Sequence, residues 1–112
     1  MDCLFCKIAA GEIPSEKLYE DDRVLAFYDI TPQAPVHFLV IPKAHIPSAD
    51  HLTPEHNADL AAVFETITRL AKELGLKDGY RIVNNCGKDG GQTVGHLHFH
   101  VLAGRQLAWP PG

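Results

Sequence analysis

Long apolar runs are missing from this 112-residue chain. Crossing a bilayer takes roughly 20 consecutive apolar residues, and no stretch approaches that, so a membrane partner is not expected. Basic excess is missing too. Ten Lys and Arg stand against 14 Asp and Glu, a formal net charge of −4, so the positive footprint of a nucleic-acid binder is absent. Cysteine is scarce and odd in number, three in all. That speaks for reduced thiols or metal ligands over a disulfide framework. The opening Met1-Asp2-Cys3 has neither a basic region nor a cleavable apolar segment, so a cytoplasmic protein without a secretion signal is expected. Internal repeats and low-complexity linkers are lacking, and the length suits one domain, residues 1–112.

What the chain has in quantity is histidine, seven residues. Three of them alternate with apolar residues in His96-Leu97-His98-Phe99-His100-Val101-Leu102. On a strand, alternate side chains share a face, so the pattern predicts one row of imidazoles backed by Leu97, Phe99 and Val101. A glycine-rich run, Gly87 to Thr93, comes just before, and backbone N–H groups in such loops can cradle an anion. Imidazoles beside an anion cradle suggest phosphate chemistry, with one histidine as nucleophile and another as acid and base. Two other readings stand beside it: a histidine-rich edge strand without function, and a catalytic zinc site held by histidines. The glycine run is neither the phosphate loop ending in Gly-Lys-Ser/Thr nor the dinucleotide fingerprint; alone it is a plain loop.

The coarse architecture is α+β, an antiparallel sheet covered by a helix. Cys3 to Ala10 reads as a brief helix closed by Gly11. Lys17–Tyr19 and Arg23–Tyr28 read as strands around a polar turn, and Val36–Ile41 as a central strand closed by Pro42. Ser48 to Leu52 suits one helical turn. Thr53 as N-cap and Pro54 at the first helical position open a long helix. Its apolar residues from Leu60 to Leu74 recur at spacings of three and four, and Gly75 ends it. Tyr80–Asn84 and Leu97–Leu102 are the remaining strands.

Other candidates carry two readings each. Cys3-Leu4-Phe5-Cys6 has chelate spacing, but it is half a site. Zinc wants about four ligands, with His45 and His96 as candidates for the rest; the alternative is two ordinary thiols. Cys86 reads as a loop thiol, and His51 and His56 as solvated. His37 heads a strand and faces either way. Asp29 is a turn cap or a holder of ribose hydroxyls. Asn85 and Thr93 flank the glycine run with groups able to bond a phosphate or a leaving group. Phe5, Ile8, Phe27 and Ile30 read first as core.

Taken together, Phe27-Tyr28-Asp29-Ile30-Thr31-Pro32-Gln33-Ala34-Pro35, His37 to Lys43, Gly90-Gly91-Gln92-Thr93-Val94 and His-x-His-x-His resemble the histidine triad superfamily over nearly the whole chain. Gly104-Arg105 and Trp109-Pro110-Pro111-Gly112 resemble its nucleotide-binding phosphoramidase branch. The resemblance implies a five-stranded antiparallel sheet, one long helix, a short N-terminal helix, and a homodimer joining two sheets into a continuous ten-stranded one. It implies hydrolysis of purine nucleoside phosphoramidates to a nucleoside monophosphate and an amine. By position, His98 resembles the nucleophile and His100 the partner that bonds phosphate and handles the leaving group's proton. His37 and His96 complete the histidine cluster. Asn85, Gly91, Thr93 and Val94 resemble phosphate and leaving-group contacts, Asp29 the ribose binder, and Phe5, Ile8, Phe27 and Ile30 the base pocket. Trp109 resembles a residue reaching toward the partner subunit's site.

The same resemblance implies a structural zinc at Cys3, Cys6, His45 and His96, with no catalytic cofactor. Two departures stand out: Gly95, where several members carry a larger residue, which makes the leaving-group side roomier, and Ala103, where glycine is common. His100 occupies the position where the transferase branch has glutamine, which favours hydrolysis. A dinucleoside polyphosphate hydrolase of a sister branch and a nucleotide-binding regulatory module are the alternatives.

Overall fold

The computed structural model describes residues 3–112; Met1 and Asp2, part of the segment searched for a secretion signal, lie outside them. Elements follow the order α1 (Leu4–Ala9), β1 (Lys17–Glu20), β2 (Val24–Tyr28), β3 (Val36–Pro42), α2 (Asn57–Glu73), β4 (Arg81–Val83) and β5 (Phe99–Ala103), with two 3-10 turns, Ala49–His51 and Pro54–His56, before α2. The five strands form one antiparallel sheet in the order β1-β2-β3-β5-β4. The fold is therefore α+β, with one long and one short helix, as the sequence pattern predicts. No helix among the described residues is long and apolar enough to cross a membrane.

Strand periodicity divides the interior in two. In β2 and β3, Val24, Ala26, Phe38 and Val40 face α2 and meet Val63, Ile67 and Leu70. Leu97, Phe99 and Val101 join this helix-side core, as expected. The alternate residues Leu25, Phe27, Leu39 and Ile41 face the opposite way and pack with Phe5 and Ile8 of α1. Burying one such side chain stabilises by roughly 1.5–3 kcal/mol, so both layers fasten the sheet. His37 and Asp29 continue the second set by parity, which brings them to the α1 side of the sheet.

Three differences from the sequence-based expectation bear on the site. β5 begins only at Phe99, so His96 and His98 precede the strand and His100 alone belongs to it. Their segment is held by other bonds, including Leu97 N–H to Ile46 O at 2.7 Å. The second difference is at α2. After the Thr53 boundary the chain makes a 3-10 turn, with His56 N–H donating to Thr53 O at 2.9 Å, and α-helical bonding starts at Asn57. His56 is half-buried rather than solvated, because its Nδ1 accepts the Thr53 N–H at 3.1 Å. The third is Ile30, which is 98% exposed and so is no part of the core. It lies in the loop beyond β2, where neither layer reaches.

Candidate active site and metal cluster

Five of the seven histidines fall into two adjoining groups, His37, His98 and His100 in one and His45 and His96 in the other. His37 on β3 and His100 on β5 sit diagonally across neighbouring strands, since His37 pairs with Leu102 and Leu39 with His100. Diagonal neighbours are within reach of long side chains. His37 Nε2 meets His100 Nδ1 at 2.9 Å.

The partners fix where each ring carries its proton. Gln33 N–H donates to His37 Nδ1 at 3.1 Å. The His37 proton therefore sits on Nε2, which donates to His100 Nδ1 and leaves the His100 proton on Nε2. His98 Nδ1 lies 2.7 Å from the backbone carbonyl of His96. A carbonyl only accepts, so Nδ1 carries the proton and Nε2 keeps a free lone pair. One neighbouring ring thus presents an N–H donor and the other an unprotonated nitrogen. The His98 and His100 ring centroids are 5.2 Å apart.

Burial sets the charge state. It pushes the His100 pKa down to about 4, helped by the nearby His98 and His37 and opposed by Asp29. His37 is likewise lowered, first by burial, with Asp29 pulling the other way. At neutral pH both rings are uncharged. Of the two readings of Asp29, the structure shows the turn cap: Oδ1 accepts Thr31 N–H at 2.8 Å, while Oδ2 lies 3.4 Å from His37 Nε2 and 3.9 Å from His100 Nδ1. Asp29, His37 and His100 have the spacing of a metal triad, but the Gln33 N–H on Nδ1 keeps a proton on His37 Nε2, and a protonated nitrogen is no ligand.

The surroundings of His98 come from α1 and from the segment just past β4. The Phe5 ring stands edge-on to His98, centroids 5.0 Å apart, and to Phe27 at 5.6 Å. Phe5, Ile8 and Phe27 are buried, with Val94 packed against them. Asn84, just past β4, donates from Nδ2 to the His98 carbonyl at 2.9 Å. The sequence pattern had pointed to its neighbour Asn85, which is half-buried at the head of the glycine loop. Only an unpaired amide next to a strand end marked Asn84.

In the glycine loop, Gly91 has φ +78° and its N–H turns inward to Lys88 O at 3.1 Å. Gly90 admits no side chain, because a Cβ would meet Cys86 O at 2.5 Å. Gln92 is the strut: Oε1 accepts Gly87 N–H at 2.9 Å, and Nε2 donates to Pro47 O at 2.8 Å and Val94 O at 2.9 Å. No hydrogen bond of the Thr93 or Val94 N–H occurs among the described residues, so two successive donors remain for a ligand.

A second cluster adjoins the first. Cys3, Cys6, His45 and His96 present ligand atoms all within 4.8 Å of one another. Cys3 Sγ to His96 Nδ1 is 3.3 Å, Cys6 Sγ to His45 Nδ1 3.2 Å and Cys6 Sγ to His96 Nδ1 3.5 Å. Neighbouring ligands of a tetrahedral metal with two sulfurs and two nitrogens stand roughly 3.3–3.8 Å apart. His96 Nε2 donates to Pro42 O at 2.8 Å, which leaves Nδ1 free to ligate. The donors fit a metal ion. Burial, with Cys3 alongside, pushes the Cys6 thiol up to about 11. The His96 ring thus faces the cysteines, and only its carbonyl serves His98. Cys86 is exposed, as expected of a loop thiol.

Comparison with known proteins agrees with this geometry. An uncharacterised HIT-like protein of Synechococcus elongatus is 54% identical over 99% of this chain and 97% of its own. A HIT family hydrolase of Legionella pneumophila superposes with a TM-score of 0.97 at 49% identity, covering 99% of this chain and all of the other. A histidine triad protein of Clostridium difficile gives 0.93 at 53% identity over 96% and 95%. The HIT domain profile matches residues 10–107, and this chain belongs to the HIT domain family.

Proposed function

We propose that the protein hydrolyses purine nucleoside phosphoramidates, as a member of the phosphoramidase branch, through a nucleotidyl-histidine intermediate on His98. The observation that carries this is the 2.7 Å bond from His98 Nδ1–H to the His96 carbonyl, which leaves Nε2 unprotonated beside a second imidazole that donates. The Legionella relative is described as a hydrolase, which supports an enzyme of that class.

In the first step His98 Nε2 attacks phosphorus, a P–N bond to His98 forms and the P–N bond to the leaving group breaks. The departing nitrogen needs a proton, which comes from His100. His100 has little affinity for an extra proton in the free protein; an anionic phosphoryl group beside it raises that affinity. In the second step water attacks phosphorus, the His98 bond breaks and a water proton returns to His100. The Thr93 and Val94 N–H groups, with Asn85, stabilise the phosphoryl oxygens. Gly91 shapes the turn that presents them. Asp29 holds ribose, and Phe5, Ile8, Phe27 and Ile30 form the apolar wall for the base, Ile30 as its exposed lip.

Zinc is the metal proposed for Cys3, Cys6, His45 and His96, where it ties α1 to the sheet and takes no part in bond breaking. The proposed homodimer joins two sheets at β4. That strand ends the sheet and leaves Tyr80 and Ile82 exposed, and Trp109, 81% exposed, is then free to reach the partner. A cytoplasmic setting is consistent with three free thiols.

The test is AMP release from adenosine 5′-phosphoramidate by the wild type and His98→Ala, with and without a zinc chelator. Loss in the variant alone supports the nucleophile and a structural metal. Turnover retained by His98→Ala, or none in the wild type, overturns the proposal.

A further inference from the structure

His37 keeps its ring proton on Nε2 because Gln33 N–H occupies Nδ1, yet Gln33 is the exposed middle of a loop. Among the described residues, none of 31–35 joins either apolar layer. Hydrogen bonds and backbone contact therefore set where that loop lies. Two of the bonds stay inside it: Asp29 Oδ1 accepts Thr31 N–H at 2.8 Å, and Gln33 Nε2 donates to Thr31 O at 3.0 Å. One arrives from outside the β2–β3 connection, where Arg105 Nη2 donates to Gln33 O at 3.0 Å. The sheet brings the two segments together, since Val36 at the start of β3 pairs with Ala103 at the end of β5. Gly104 then lies against the loop: a Cβ there would stand 2.8 Å from Pro35 Cβ, and its φ is +94°. Arg105 Nη1 donates to Gln106 O at 3.2 Å, which holds the guanidinium in its plane.

We propose that Arg105 is a positioning residue for the reaction, acting through Gln33 and His37 on the proton of His100. The proposal rests on the phosphoramidate hydrolysis above. Arg105 bonds only main-chain carbonyls here, those of Gln33 and Gln106, so its influence passes through the loop. While Arg105 grips the Gln33 carbonyl, the Gln33 N–H stays on His37 Nδ1. His37 Nε2–H then points at His100 Nδ1, at 2.9 Å, and the His100 proton stays on Nε2, the nitrogen left for the leaving group. Without Arg105 the loop has no tie to β5, and the Gln33 N–H can part from His37. His37 can then move its proton to Nδ1 and accept through Nε2. His100 answers by carrying its own proton on Nδ1, and its Nε2 faces the departing nitrogen with a lone pair. The fold and His98 are untouched by that change; only the proton is misplaced.

The experiment compares kcat/KM for adenosine 5′-phosphoramidate and for the p-nitrophenyl ester of AMP. Ammonia needs a proton to depart and nitrophenolate does not. Arg105→Ala is expected to lower the phosphoramidate value roughly tenfold, part of what a general acid contributes, and to leave the ester value within about twofold. A ratio of two rates in one sample does not depend on how much of it is folded. Arg105→Lys, which keeps a donor without the planar fork, should fall between wild type and Arg105→Ala. Gly104→Ala, which presses on Pro35, should shift the ratio in the same direction. Nitrogen NMR of His100 should show the proton gained at Nδ1 in Arg105→Ala. Equal losses on both substrates, an unchanged ratio, or unchanged His100 nitrogen shifts overturn the positioning role and leave the hydrolase reading intact. No turnover of the phosphoramidate by the wild type overturns the hydrolase reading and this proposal with it.

Discussion

His96 faces two ways: its carbonyl accepts the Nδ1–H of His98 at 2.7 Å, while its own ring Nδ1 lies 3.3 Å from Cys3 Sγ. One residue thus joins Cys3, Cys6 and His45 by its side chain and His98 by its backbone. Phe5 repeats the connection, since it sits between Cys3 and Cys6 in sequence and stands edge-on to His98.

Disturbing the cluster should therefore reach His98. Cys6→Ser is expected to lower zinc content, measured by elemental mass spectrometry, and to cost roughly 3 kcal/mol or more in unfolding free energy. Turnover at a temperature where the variant remains folded should also fall, because neither Phe5 nor the His96 carbonyl is then held. Undiminished turnover in a zinc-free, folded variant would show the two sites to be independent.

The Gln33–His37–His100 chain is tested by His37→Phe. His100 Nδ1 loses its donor, so the ring can place its proton on Nδ1 and withhold it from the leaving group. A fall in kcat on the order of 10²-fold is expected, with KM changed much less. The ring-nitrogen shifts of His100 in NMR would report the altered tautomer directly.

Gln92→Glu is nearly isosteric yet removes both N–H donors and sets a carboxylate against Pro47 O and Val94 O. Leaving such groups unpaired costs roughly 1–3 kcal/mol. The expected result is a lower melting temperature, with faster hydrogen exchange at the amides of residues 87–92.

Stability should fall as the solution is acidified from pH 7 toward pH 4. In the unfolded chain a histidine binds its proton near pH 6.5; folded His100 does so only near pH 4, and folded His37 also below its ordinary range. Between those values the unfolded state holds more protons, so the stabilisation is present above about pH 6.5 and is lost on the way down. For His100 this is roughly 2 kcal/mol. Denaturant melts at pH 7 and pH 5 measure it, and His100→Gln should flatten the difference.

The sequence makes some of this visible and hides the rest for an identifiable reason. An apolar run closed by Pro42 marks Val36–Ile41 as a central strand, and the spacing of Cys3 and Cys6 announces half a metal site. What stays hidden are the groups that work through main-chain atoms of distant residues. Gln33 acts by its backbone N–H, Pro42 and His96 by their carbonyls, and Asn84 by a bond to the His98 carbonyl. Side-chain chemistry does not encode such roles; the path of the chain does. The same blindness explains the triplet, in which alternation held but the strand began two residues late. Ile30 shows the converse, an apolar residue whose letter suggests core and whose loop places it in solvent.

The two-sided sheet gives this protein a form of modularity within single strands. Even-numbered residues of β3 answer to the long helix and the odd-numbered ones to the α1 side, so substitutions in one set can be accepted without reference to the other. Insertions enjoy no such freedom. One extra residue early in β3 would exchange the two sets downstream of it, turning Phe38 and Val40 toward α1 and Leu39 and Ile41 toward the long helix. Drift in this family is accordingly expected to tolerate replacement within β3 while holding its length fixed.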